Sequence, residues 1–146
     1  MHAMSTPEAR LGILFADIVS STALYEQLGD LRAEELISKT LQVLSKICAR
    51  HKGQVVKTIG DEVMCRFDQA AHMLDAAIEM QNTLHRVKKA GSSVQGIRIG
   101  AHFGEALIRG KDIFGDSVNV AARLAAFARN GQIICSEASW LESQQA

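Results

Sequence analysis

Apolar residues crowd into Leu11–Val19, where Leu11, Ile13, Leu14, Phe15, Ile18 and Val19 form the almost continuous run expected of a strand covered on both faces. From Ser21 the spacing changes. Leu24 and Leu28 begin a helical pattern that pauses at Gly29-Asp30, and Leu36, Ile37, Leu41, Leu44 and Ile47 continue it as a 3.6-residue stripe closed by His51-Lys52-Gly53. Gln54–Lys57 is a short β-prone run, Gly60-Asp61 a tight turn and Glu62–Phe67 the returning strand, so VVKTIGDEVMCRF reads as a hairpin. Asp68 then caps a long helix through Ala71, Leu74, Ala77, Ile78, Met80 and Leu84, which ends near Gly91. Ile97, Ile99, Ala101 and Phe103 alternate with Arg98, Gly100 and His102, the mark of a half-buried strand. Gly104-Glu105 is expected to turn the chain, with Ala106–Ile108 as the second arm of another hairpin. Asp112-Ile113-Phe114-Gly115 leads into a helix from Ser117 to about Arg129, and Asn130-Gly131 closes it. Gln132–Ser136 is a last short strand, and Ser136 caps a final helix that would use Trp140 and Leu141 as its apolar contacts.

Helices gathered over hairpins in this order predict an α+β fold, a ferredoxin-like α/β sandwich on a mixed, mainly antiparallel sheet. At 146 residues the chain suits one domain with a sizeable core, and 47% of its residues are apolar. Residues 1–10 are set aside as a leader, with Met1-His2-Ala3 ahead of a second Met reading as a cloning remnant, which leaves 11–146 as the domain. A formal charge of zero offers no basic excess for nucleic acid or an anionic membrane surface. No apolar run approaches a bilayer-spanning length and no signal peptide is visible, so a cytoplasmic setting without membrane insertion is expected. Cys48, Cys65 and Cys135 are odd in number, lack ligand spacing and fit a reducing compartment, and the five histidines show no i, i+4 pair.

Candidate chemistry concentrates at a few polar residues inside or beside apolar segments. Asp17 interrupts the first strand, where a carboxylate must be paired, hold a cation or cap the following helix. Ser20, Ser21 and Thr22 follow it at a helix start, whose free N–H groups suit a phosphate. Asp61 follows Gly60 at the hairpin tip, either as a second hard oxygen ligand beside a close backbone approach or as an ordinary turn residue. Lys57 lies on a strand and Asp112 before a helix. Together they could read a purine edge, adenine rather than guanine, although a lone strand Lys commonly sits at a solvated edge. Asn119 and Arg123 are one turn apart, with Val118, Val120, Ala121, Ala122 and Leu124 around them. That setting predicts a face pressed against protein, on which the pair either serves a phosphate and a ribose or ties helix to sheet.

The stretches FADIVSST (15–22), VVKTIGDEVMCRF (55–67), RIGAHFGEALI (98–108) and DIFGDSVNVAARL (112–124), taken in this order, resemble the catalytic domain of class III nucleotidyl cyclases. The resemblance implies the nucleotide-cyclase variety of the sandwich and an adenylate cyclase making 3′,5′-cyclic AMP and pyrophosphate from ATP. It assigns Asp17 and Asp61, with the Ile18 carbonyl, to two Mg²⁺ or Mn²⁺ ions per active site. Lys57 and Asp112 fall on the adenine-reading pair, Asn119 and Arg123 on the transition-state pair, and Ser20, Ser21, Thr22 and Gly60 border the phosphates. It further implies a head-to-tail homodimer, with the metals and Lys57 from one subunit and Asp112, Asn119 and Arg123 from the other. A regulatory domain in a longer parent protein is expected as well. Family members usually continue past the last strand with a helix and a hairpin carrying a phosphate-holding Lys, and Ala146 comes before that segment. The competing reading is therefore a weak or inactive cyclase-homology domain that binds nucleotide or dimerises. The Gly-Gly-Asp/Glu-Glu-Phe signature of diguanylate cyclases is matched only in part, by Gly60-Asp61-Glu62.

Overall fold

In the computed structural model, which describes residues 7–145, strand β1 (Glu8–Ile18) lies at the centre of the sheet. It begins three residues inside the stretch set aside as a leader, because its pairing with β4 (Ile97–Arg109) extends without a break from Glu8↔Leu107 to Ile18↔Ile97. The reading of Met1–Ala3 lies outside the described residues. Helices α1 (Ser21–Leu28) and α2 (Asp30–Arg50) follow, separated at Gly29 as expected. The first hairpin, β2 (Gln54–Ile59) and β3 (Glu62–Phe67), turns at Gly60-Asp61, where Gly60 takes a φ of 59°. Then come α3 (Ala70–Lys89), β4, β5 (Asp112–Phe114), α4 (Asp116–Phe127), β6 (Ile133–Cys135) and α5 (Glu137–Ser143).

The strands run β2-β3-β1-β4-β5, all antiparallel, and β6 joins β4 in parallel through Ile99↔Ile133 to Ala101↔Cys135. Alternation along β1 divides the core in two. Leu14, Ala16 and Ile18 face the larger cluster with α2 and α3, including Leu44, Ile47, Met73 and Met80. Leu11, Ile13 and Phe15 face the smaller one with Met64, Ala106, Ile113 and the α4 residues Ala121 and Ala125. Asp17 follows Ile13 and Phe15 in the same alternation, so it emerges on the α4 side where that helix ends.

Three local expectations are corrected. Gly104 does not turn the chain, because β4 runs through it to Arg109 and the turn comes at Gly110-Lys111. Gly104 is needed for clearance instead: a Cβ there would stand 2.6 Å from Ser117 Oγ. The residue before α3 is Gln69, in extended conformation and with no side-chain cap, so Asp68 does not cap that helix. Ser136 caps α5 by accepting from the Ser139 N–H, but Trp140 and Leu141 are 55% and 54% exposed, and Ser139 is the α5 residue that is buried.

Helix α4 lies directly on β4 at Gly100, where a Cβ would fall 2.1 Å from the Ala125 nitrogen and 2.6 Å from the Ala121 carbonyl oxygen. Both obstacles are backbone and cannot rotate away. Gly100→Val is therefore expected to destabilise the domain by roughly 3 kcal/mol through overpacking. Urea unfolding followed by circular dichroism reads this as a lowered midpoint, and an unchanged midpoint would contradict the close helix–sheet contact.

Candidate functional site

Asp17 and Asp61 converge because two backbone connections join their strand ends. Asp17 pairs across the sheet with Glu62, and the Ile18 N–H donates to the Asp61 carbonyl at 3.0 Å. Just beyond, Ser20 adopts a left-handed conformation (φ 59°) that swings the chain from β1 into α1, and no side chain caps the helix start. Ser20, Ser21 and Thr22 at this helix start line a cleft of about 690 Å³ with Asp17, Ile18 and Asp61, and Arg98 and residues 128–130, just past α4, complete it. Gly60 lies on the neighbouring wall of a larger groove, about 960 Å³, between α2 and the β2–β3 turn, which meets the cleft at Ser21 and Asp61. The smaller cleft holds the convergent charged groups, and chemistry rather than size identifies it as the candidate site.

Its electrostatics come from a row across three strands. Glu62 on β3, Asp17 on β1 and Arg98 on β4 are direct cross-strand neighbours on one sheet face. Arg98 donates to Asp17 Oδ2 from Nε at 2.9 Å and approaches the same oxygen with Nη2 at 2.8 Å. Its Nη1 donates to the Ala126 carbonyl at the end of α4. Ser21 Oγ donates to Asp61 Oδ2. Burial pushes the Asp17 carboxyl above its usual range and the Asp61 charge adds to the rise, while the Arg98 guanidinium opposes it. Glu62 is raised by burial and by the Asp17 and Asp61 charges. A concentration of negative charge that burial penalises in this way is relieved by a cation. Arg98 and Glu62 were not singled out from the sequence. Their signal there was weak, a charged residue on the polar side of an alternating strand.

The second constellation is assembled by β2 and β5. Lys57 Nζ and Asp112 Oδ2 stand 3.1 Å apart within one chain. The Ile113 N–H, which Asp112 Oδ1 accepts, and then Lys57 hold the Asp112 carboxyl below its usual range. The expectation that Lys57 and Asp112 come from different subunits is corrected accordingly: the pair forms without a partner.

On α4 the buried line is Ser117, Ala121 and Ala125, spaced by four. Asn119 and Arg123 lie on the opposite, exposed face, so within one chain nothing presses on them, and of the two readings the one in which they tie helix to sheet is set aside. Phe127, one turn beyond Arg123 on the same stripe, is 76% exposed. Arg123 is not among the charges that act on Asp17 or Glu62. The structure thus brings Asp17, Ile18, Ser20, Ser21, Thr22 and Asp61 together and pairs Lys57 with Asp112, but leaves Asn119 and Arg123 apart from the carboxylates.

Comparison with known proteins gives consistent matches. The profile of the adenylate and guanylate cyclase catalytic domain matches residues 4–145. A putative adenylate cyclase 3 of Rhizobium meliloti is 31% identical over 127 residues, covering 86% of this chain and 22% of that protein. Among solved structures, the adenylate/guanylate cyclase/hydrolase from Silicibacter pomeroyi aligns with a TM-score of 0.78 at 31% identity, over 92% of this chain and 79% of that one. The adenylyl cyclase CyaB from P. aeruginosa aligns with a TM-score of 0.83 at 24% identity, over 94% and 82%, a likeness of fold. The chain spans 22% to 33% of the length of the first curated relatives it matches. Among the described residues no helix is long and apolar enough to cross a membrane.

Proposed function

Because the chain belongs to the family of adenylate and guanylate cyclase catalytic domains, we propose that two copies of it convert ATP into 3′,5′-cyclic AMP and pyrophosphate at sites shared between them. The observation that carries the choice of ATP is the Lys57–Asp112 pair, 3.1 Å apart and accessible. The adenine edge presents a ring-nitrogen acceptor beside an exocyclic amine donor. Lys57 can only donate and the ionised Asp112 can only accept, so with Lys57 at the ring nitrogen and Asp112 at the exocyclic group the two match adenine, whereas guanine in the same pose would set its ring N–H against Lys57 and its carbonyl against Asp112.

Asp17 and Asp61, with the Ile18 carbonyl, would hold two Mg²⁺ or Mn²⁺ ions. The donors fit such ions: beside Arg98 and Arg129, the cleft offers carboxylate, hydroxyl and backbone oxygens, and among the described residues that line it there is no thiol or imidazole. Among the described residues no three His, Cys, Asp or Glu side chains form a ready-made cage, in keeping with a cation that also uses substrate phosphate oxygens. When bound, these ions supply charge neutralisation and a more acidic ribose 3′-hydroxyl. Ser20, Ser21, Thr22 and Gly60 border the triphosphate, with the α1 N–H groups directed at it. The 3′-hydroxyl gives up its proton to solvent water, and its oxygen bonds to the α-phosphorus as the bond to the departing pyrophosphate breaks. Asn119 orients the ribose, and Arg123 meets the charge that builds on the α-phosphate.

The solvent-facing stripe Asn119–Arg123–Phe127 supports a shared site, since a second chain would supply what it faces and cover the exposed Phe127. Asp112 lies four residues before α4, so the base-reading pair belongs to the chain that supplies Asn119 and Arg123. The partner supplies Asp17 and Asp61 in head-to-tail fashion, and two-fold symmetry makes two such sites. The fraction of its relatives that this chain spans favours a regulatory part elsewhere in a longer protein, and the free thiols of Cys48, Cys65 and Cys135 suit a cytoplasmic setting.

Turnover of ATP and of GTP, each with Mg²⁺ or Mn²⁺, tests the proposal. ATP is the expected substrate, and the double variant Lys57→Glu, Asp112→Cys should lower the ATP/GTP ratio of kcat/KM by about tenfold or more, because the adenine edge loses both matched partners. An unchanged ratio would show that the pair does not select the base. Binding of labelled ATP without any cyclic product would instead favour a non-catalytic nucleotide-binding module.

A further inference from the structure

We propose that the Asp17–Asp61 pair is loaded in sequence, with Arg98 holding the place of the second cation until the first is bound. This rests on the two-cation reading above and comes from how the four carboxylate oxygens are used. Arg98 directs both Nε and Nη2 to one oxygen, Asp17 Oδ2, at 2.9 and 2.8 Å. Ser21 Oγ donates to Asp61 Oδ2. Among the described residues no donor is bonded to either Oδ1, so each carboxylate has one oxygen held by a donor and one that no donor holds.

The two held oxygens are not equivalent. A serine hydroxyl is neutral and rotates, and it accepts as readily as it donates, so it can stay beside a cation. A guanidinium has no acceptor and carries a full positive charge, so it cannot share Asp17 Oδ2 with a metal ion. Asp17 Oδ1 and Asp61 Oδ1 therefore serve the first ion while Arg98 stays in place. Asp17 Oδ2 becomes available to the second only when Arg98 withdraws. Arg98 has a place to withdraw to, since its Nη1 already donates to the Ala126 carbonyl at 3.3 Å, at the C-terminal end of α4 where the helix dipole favours a cation. Until then Arg98 offsets the carboxylate charge of Asp17 beside Asp61 and Glu62. Arg98 is thus a positioning residue that acts through Asp17.

The test is a Mn²⁺ titration of the nucleotide-free full chain, with the free ion followed by electron paramagnetic resonance. The unaltered protein should bind one ion and then a second about tenfold more weakly or worse, as expected when a fixed positive charge occupies the second position. In Arg98→Met the second dissociation constant should fall about tenfold and the first less than about threefold, because only the second position is vacated. Arg98→Lys keeps the charge but has no planar two-pronged contact, and should fall between the two. It also secures the comparison if circular dichroism shows that the methionine variant does not fold. Equal gains at both positions would reduce Arg98 to background charge and overturn the proposal. Two equal sites in the unaltered protein, or no Mn²⁺ binding at all, would overturn it too. If the selective shift appears but ATP is not turned over, the loading order is supported and the proposed reaction is what fails.

Discussion

Replacing Asp17 with alanine is expected to lower cyclic AMP formation by roughly a thousandfold or more, since the loss of a cation ligand removes several kcal/mol of transition-state charge stabilisation. The fold should not suffer. Asp17 has a side-chain exposure of 16% and a carboxyl that burial pushes above its usual range. A carboxyl whose folded pKa exceeds its unfolded value is most compatible with folding when protonated, so near neutral pH its ionised form opposes folding. Alanine removes that opposition and the repulsion from Asp61, while Arg98, itself 37% exposed, keeps the Ala126 carbonyl and solvent as partners. The melting temperature should stay the same or rise. Asp61→Ala should be as inactive, but with a slightly lower melting temperature, because Ser21 loses its acceptor at the start of α1. Turnover within tenfold of the unaltered protein in either variant, with folding verified by circular dichroism, would contradict the role given to these carboxylates.

The parts of this account that were legible in the sequence were those with a local pattern. The apolar run around Asp17, the Gly60-Asp61 turn and the stripe of α2 each specify an element through the spacing of near neighbours, and the structure contains all three. Gly104 was misread because a glycine required for a turn and one required for clearance look the same in one dimension. Only the position of Ser117 distinguishes them. On α4, small or apolar residues surround the whole helix, so the sequence could not say which side was covered. The contact at Gly100 decides it and turns Asn119 and Arg123 outward. Arg98 carries no mark in the sequence because its partner is 81 residues away, and a cross-strand pair at that separation leaves no local trace. Lys57 and Asp112, 55 residues apart, were read correctly as a pair but assigned to two subunits, since the meeting of β2 with β5 cannot be seen from either segment alone.

The second large effect comes from mixing two inactive proteins. If Asp17 and Asp61 of one chain face Asn119 and Arg123 of another, Asp17→Ala and Arg123→Ala should each be inactive alone, the latter with an unchanged fold because Arg123 is exposed on α4. In a mixed pair of chains, one site collects both lesions and the other collects none. With equal amounts and free exchange, about half of the pairs are mixed and each has one intact site of two, so about a quarter of the unaltered activity should return. Dilution should remove it, since such a site exists only while the chains are associated. The decisive measurement is therefore cyclic AMP formation from ATP by the equimolar mixture, with subunit exchange verified by a labelled-chain assay. Recovery near one quarter is the predicted result. A mixture that stays inactive despite verified exchange would place the whole site within a single chain and contradict the shared-site account.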